Sequence, residues 1–148
     1  SHSVLKAGEV QVMSAGTGIL HSEYNPSKTK DLNFLQIWIT PDKLGIKPSY
    51  EQKDFSDVDG LKLIISPDGQ QGSLKINQDA RVYKLQLRDQ KIDHTSSKGR
   101  TYYLHVAKGH LLINGKSLKA GDGATLSGEP GLQFASPQTA EALLFELP

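Results

Sequence analysis

Period-two patterning is clearest in Phe34-Leu35-Gln36-Ile37-Trp38-Ile39 and in Val82-Tyr83-Lys84-Leu85-Gln86-Leu87, whose alternate members can line a core. A period of two sends successive side chains to opposite faces, so each run predicts a strand with one packed face and one polar face. Shorter runs rich in β-branched and aromatic residues recur between Gly, Pro, Asn and Asp, which is the punctuation of a sandwich or barrel. The predicted strands cover residues 10–14, 33–40, 61–66, 74–77, 81–87, 101–108, 111–113, 124–126, 132–135 and 141–147. Ile113-Asn114-Gly115-Lys116 carries the Asn-Gly pair of a two-residue type I′ hairpin, which should pair 111–113 with the segment around Ser117-Leu118. No long stretch has the 3.6 period of an amphipathic helix, so the predicted class is all-β.

A near-repeat organises these strands. Leu5-Lys6-Ala7-Gly8-Glu9 matches Leu118-Lys119-Ala120-Gly121-Asp122, and each copy runs into a predicted strand. Two related β units are expected. A hairpin-like stretch over 102–115 precedes the second copy, whereas only four residues precede the first. If the copies are equivalent, the first unit lacks its opening strands.

Composition narrows the function classes. At 148 residues the chain suits one ordinary domain or two small ones, and 36% hydrophobic with 22% charged residues is usual for a globular protein. Seventeen Lys and Arg against sixteen Asp and Glu leave a net charge of +1 without a basic run, so nucleic acid is not an expected direct ligand. No stretch approaches the roughly 18 apolar residues of a membrane span, and residues 1–6 have no apolar core like that of a signal peptide. A cytoplasmic location without membrane contact is therefore expected. With no cysteine, any metal must be held by histidine and carboxylate, a donor set suited to iron, manganese, nickel, copper or zinc.

The chemistry concentrates in Ala15-Gly16-Thr17-Gly18-Ile19-Leu20-His21-Ser22-Glu23. On an extended segment His21 and Glu23 project from one face, where an imidazole nitrogen and a carboxylate oxygen can meet one cation. Gly16 and Gly18 allow the positive φ or close backbone approach that would aim such a segment. Taken alone, such a pair is more often two polar residues on a solvated face. His94 lies in a polar stretch that reads as a loop, and His105 and His110 flank Lys108-Gly109 with no carboxylate between them. Structural roles are expected for all three. Neither a Ser-His-Asp order nor a phosphate-binding glycine loop is present.

The residues from Leu5 through Glu23, read as a block, resemble the second metal-binding motif of the pirin family in the cupin superfamily. Gln36-Ile37-Trp38-Ile39 and Pro48-Ser49-Tyr50-Glu51-Gln52 resemble the segments that follow it in bacterial pirins, and the similarity continues through 61–69 to 144–148. The resemblance implies a bicupin, with residues 1–49 as the remnant of an N-terminal, metal-binding jelly-roll barrel and 50–148 as a C-terminal cupin barrel without metal ligands. It implies a divalent metal, iron first and manganese, nickel, copper or zinc as alternatives, bound by a His-x-His pair on an earlier strand together with the positions of His21 and Glu23. It further implies quercetin 2,3-dioxygenase chemistry on a flavonol, with Glu23 also accepting a substrate proton.

The earlier His-x-His pair has no match in this chain, because His2 between Ser1 and Ser3 lacks its context. Two protein ligands seldom hold a transition metal against water, so the chain alone is expected to be inactive and can lack the metal. A fragment, a truncated gene product and a subunit that borrows strands would each account for this. The first is preferred, since an open barrel edge is an aggregation hazard, and a second copy covering that edge is the next expectation. The alternative class is a non-catalytic cupin module for protein interaction or transcriptional co-regulation.

Overall fold

The computed structural model describes residues 3–148 as β-strands joined by turns, with a single 3-10 turn at Gln70–Gly72. Strands β1 (Glu9–Ser14) and β2 (Ser49–Asp54) form an antiparallel two-stranded sheet in which Gln11 faces Gln52 and Met13 faces Tyr50. The second sheet contains β3 (Gly60–Ser66), β4 (Leu74–Lys75), β5 (Arg81–Thr95), β6 (Thr101–Ile113), β7 (Lys116–Lys119), β8 (Gly123–Ser127) and β9 (Gly131–Leu147). Its order is β4-β3-β5-β9-β6-β7, with β8 paired to β6. Among the described residues no helix is long and apolar enough to cross a membrane.

Strand β9 is the longest strand of this sheet and is paired along both edges. It pairs with β5 from Arg81↔Glu146 to Thr95↔Gly131 and, along its other edge, with β6 from Thr101↔Leu147 to Ile113↔Phe134. Alternate apolar residues of these three strands then meet in one core, where Leu85, Leu87, Tyr102, Leu104, Phe134 and Leu144 are fully buried. A second cluster joins Phe55, Val58, Ile64, Leu74, Val82 and Phe145, and Val10, Val12 and Ile39 pack against it. It seats the small sheet on the large one. The buried Lys84 ammonium donates to the Phe55 carbonyl at 3.0 Å, tying the β2–β3 connection to β5.

Several predicted strands are longer than the sequence pattern suggests. The runs predicted at 101–108 and 111–113 are both parts of β6, and those at 132–135 and 141–147 are both parts of β9. Residues that read as turns are bulges inside these strands: Asp89 has φ 51 where the β5 register slips, and Gly109 has φ 75 where β6 does. A bulge bends a strand without ending its ladder. The 113–116 hairpin is as expected, with positive φ at Asn114 and Gly115 and Ile113 opposite Lys116.

The strand predicted over 33–40 is not formed, although its alternation is among the clearest in the chain. Alternation makes a segment two-faced, but a strand exists only where a neighbour completes its ladder. Within the described residues this segment has no such neighbour, and Phe34, Leu35, Ile37 and Trp38 are left exposed. It is anchored at one end only, where Gln78 Nε2 donates to the Thr40 carbonyl at 2.8 Å and the Asp42 amide to the Asn77 carbonyl at 2.8 Å. Conversely β2, with the polar sequence Ser49-Tyr50-Glu51-Gln52-Lys53-Asp54, is a strand the pattern missed.

Both copies of the near-repeat build one turn. The Lys6 amide donates to Glu9 Oε2 at 2.6 Å and the Glu9 amide returns to the Lys6 carbonyl at 3.0 Å. The Lys119 amide donates to Asp122 Oδ2 at 2.9 Å and the Asp122 amide to the Lys119 carbonyl at 2.9 Å. Gly8 and Gly121, with φ 87 and 91, supply the left-handed residue in each. The acid at the end of the repeat is thus a turn cap, with a strand beginning at Glu9 in the first copy and just after Asp122 in the second.

Candidate metal centre

The segment after β1 turns at once, with the Gly18 amide donating to the Ala15 carbonyl at 2.8 Å. Gly16 has φ 55 and Gly18 φ 127, the positive values that the glycine spacing predicts. At Gly16 the need is also steric. An added Cβ would collide with the Ile46 carbonyl oxygen and lie 2.9 Å from the Pro48 nitrogen, because the chain crosses here on its way into β2. Gly16→Ala is therefore expected to destabilise the fold by about 1–3 kcal/mol. Gly45→Ala, at φ 67 with open space around it, should cost less, and paired urea titrations of the two variants check the difference.

His21 and Glu23 follow this turn, both exposed, on a stretch outside any ladder. Glu23 is fixed from β1: Gln11 Nε2 donates to Glu23 Oε1 at 2.6 Å. The Tyr50 hydroxyl on β2 lies 3.2 Å from Gln11 Oε1 and 2.9 Å from Ser3 Oγ, and it also contacts Gln52 Oε1. Gln52 Nε2 in turn donates to Glu9 Oε2 at 2.9 Å. Polar side chains on one face of the two-stranded sheet thus form a line that ends at Glu23. This line was not singled out from sequence, although Glu9-Val10-Gln11-Val12 carries its signal as alternate polar positions on a strand.

Among the described residues no group of three or more His, Asp or Glu converges as a metal cage. An imidazole and a carboxylate are donors of the right chemistry for a first-row divalent ion, but they are two donors only. His94, His105 and His110 sit elsewhere, on β5 and β6. His110 Nε2 is 2.6 Å from Ser117 Oγ across β6 and β7. His94 is not in a loop but near the end of β5, with its ring edge-on to Tyr83 and Tyr102 at centroid distances of 5.3 and 5.9 Å. Burial lowers its pKa against the opposing charge of Glu146.

A second charged group lies at the far side of the large sheet. Glu146 is buried and accepts from the Tyr83 hydroxyl at 3.1 Å, with Arg81 Nη1 at 3.4 Å and Arg100 Nε at 3.7 Å. Arg100 also reaches Asp79 at 2.7 Å and holds that carboxyl below its ordinary pKa. Every charge in this group has a partner, which marks it as a structural clasp. Clefts of about 500 Å³ beside residues 54–62 and about 440 Å³ beside 96–102 and 127–130 are lined by neither His21 nor Glu23.

The pirin family matches residues 1–39, and the family described as the quercetinase C-terminal cupin domain matches residues 63–147. The chain is 45% identical over 143 residues to the quercetin 2,3-dioxygenase of Escherichia coli K12, an alignment that covers 96% of this chain and 62% of that protein. The crystal structure of YhhW from Escherichia coli superimposes with a TM-score of 0.92 at 44% identity, over 97% of this chain and 62% of that one. Bacterial pirin YhhW in complex with nickel(II) gives 0.90 at 45% identity, over 96% and 62%. The chain thus spans a little under two thirds of the length of these relatives.

Proposed function

This chain belongs to the pirin family of cupin proteins, and from that membership we propose that it carries half of the metal site of a quercetin 2,3-dioxygenase type of enzyme. His21 and Glu23 are the two ligands it contributes, and Glu23 doubles as the acceptor of a substrate proton. The supporting observation is that the stretch matched to the pirin family, residues 1–39, is the one that holds both side chains. Its relative YhhW has been crystallised with nickel(II), so a divalent ion is the cofactor in this reading, with iron the first candidate in a dioxygenase and manganese, nickel, copper or zinc behind it. The bound ion would orient a flavonol and dioxygen.

In this reading the large sheet closes into a cupin barrel without metal ligands. The small sheet is the remnant of a metal-binding barrel, with the division near residue 49. The equivalence of the two turns supports it. In the second unit the strand after that turn, β8, leads into β9, which is flanked on both edges. In the first unit the stretch after β1 has no flanking strands among the described residues. Strands from outside residues 3–148 are needed to complete it, and the chain alone should not turn over quercetin.

Titration of the 148-residue chain with nickel(II), manganese(II) and, anaerobically, iron(II) tests the site. Weak binding that disappears in His21→Ala and in Glu23→Ala is expected, with no loss of quercetin. Binding that both variants retain would place the ion elsewhere and end this assignment. A second reading, a non-catalytic module for protein interaction in the cytoplasm, draws on exposed Leu20, Trp38 and Leu44, and its nearest partner is a second copy.

A further inference from the structure

The polar line ending at Glu23 assigns a role to one residue outside the ligand set. Gln11 sits in the β1–β2 ladder opposite Gln52, so its backbone is held by pairing, whereas Glu23 lies on a stretch with no ladder. The 2.6 Å contact from Gln11 Nε2 engages Oε1 of Glu23 and leaves Oε2 for another partner. A glutamine amide can present either its oxygen or its nitrogen, and only the nitrogen end attracts a carboxylate. The Tyr50 hydroxyl has one proton and gives it to its shorter contact, Gln52 Oε1, so its 3.2 Å approach to Gln11 Oε1 does not set the amide; the Glu23 carboxylate does. Ser3 Oγ, 2.9 Å from the same hydroxyl, can donate to Tyr50 while Tyr50 donates onward.

We propose that Gln11, held in the β1–β2 ladder, is a positioning residue for Glu23, so that the carboxylate meets a divalent ion with one oxygen already directed. The proposal rests on the reading of Glu23 as a ligand. Ligand carboxylates are commonly held by such outer hydrogen bonds, and removing one typically costs about 10–100-fold in metal affinity. The amide also tempers the charge of Glu23 without competing for the metal.

Two measurements on the 148-residue chain test it. In the metal-free protein, the Gln11 side-chain amide signals, identified as those missing from Gln11→Leu, should shift toward those of free glutamine in Glu23→Ala. With nickel(II) as probe, calorimetry should show affinity falling about 10–100-fold in Gln11→Leu, at unchanged melting temperature. Amide signals identical with and without the Glu23 carboxylate overturn the proposal, as does nickel affinity in Gln11→Leu equal to that of the unsubstituted chain. If the chain binds no nickel, or Glu23→Ala binds it normally, the ligand reading fails and takes the metal role of Gln11 with it. The amide signals then still report whether the Gln11–Glu23 contact exists.

Discussion

Replacing Glu146 by alanine should lower the stability of the protein by about 3 kcal/mol, the lower end of the range for cutting one partner out of a buried ion cluster. The lower end applies because the Arg81 and Arg100 side chains, 27% and 19% exposed, can turn toward water once the carboxylate is gone. Thermal unfolding should then begin roughly 6–12 °C lower for a chain of this size. Glu146→Gln keeps an acceptor for the Tyr83 hydroxyl and should cost less. The two substitutions also separate at alkaline pH. Tyr83 is pushed up to about 12 from 10.0, by burial first and by the Glu146 charge and hydrogen bond next. Below pH 10 the phenol is neutral in both the folded and the unfolded chain, so the full stability is present. Between about 10 and 12 the unfolded chain gives up the proton while the folded one retains it, so stability falls as pH rises. Glu146→Gln removes part of the upward push and should flatten that loss. Denaturation at stepped pH, with phenolate absorbance as the probe of Tyr83, reads both effects.

The chain on its own should self-associate, with a mass above 16.2 kDa by light scattering after size exclusion. Between β1 and β2 it presents Leu20, Trp38 and Leu44, each at least 86% exposed, with Tyr24, Leu32 and Phe34 nearby in sequence and also exposed. Burying one such side chain is worth about 1.5–3 kcal/mol, so several of them together outweigh the cost of ordering. Because Leu20, Trp38 and Leu44 belong to neither buried cluster, changing all three to serine should yield a folded monomer. Trp38 is the only tryptophan, which makes its fluorescence a clean reporter. A blue shift with rising concentration is expected, absent from the triple variant. A monomer with water-exposed tryptophan emission at every concentration would show that these side chains are not an adhesive surface.

The all-β class, the hairpin at Asn114-Gly115, the repeated turn and the glycines before His21 were legible because each depends on local chemistry: alternation, a φ preference or a cap. The state of 33–40 was not, because a strand is a property of a pair and the pattern describes one member only. The long β5, β6 and β9 were hidden for the opposite reason: Asp89 and Gly109 carry turn-like composition but sit where a ladder continues past them. At the candidate site, His21 and Glu23 stood out as ligand types. Gln11 and Tyr50 did not, since their part depends on β1 lying beside β2 in a particular register. The Glu146 clasp likewise joins residues from three segments far apart in the chain, which no local window can bring together.

The two-sided pairing of β9 also governs how the molecule is made. Strands β5 and β6 are translated well before the residues that hold them together, so on the ribosome they wait with apolar faces uncovered until Gly131–Leu147 emerges. Most of the long-range contacts of the second unit form only once β9 is available, which makes the interval before it the period of greatest exposure to chaperones and to misassociation.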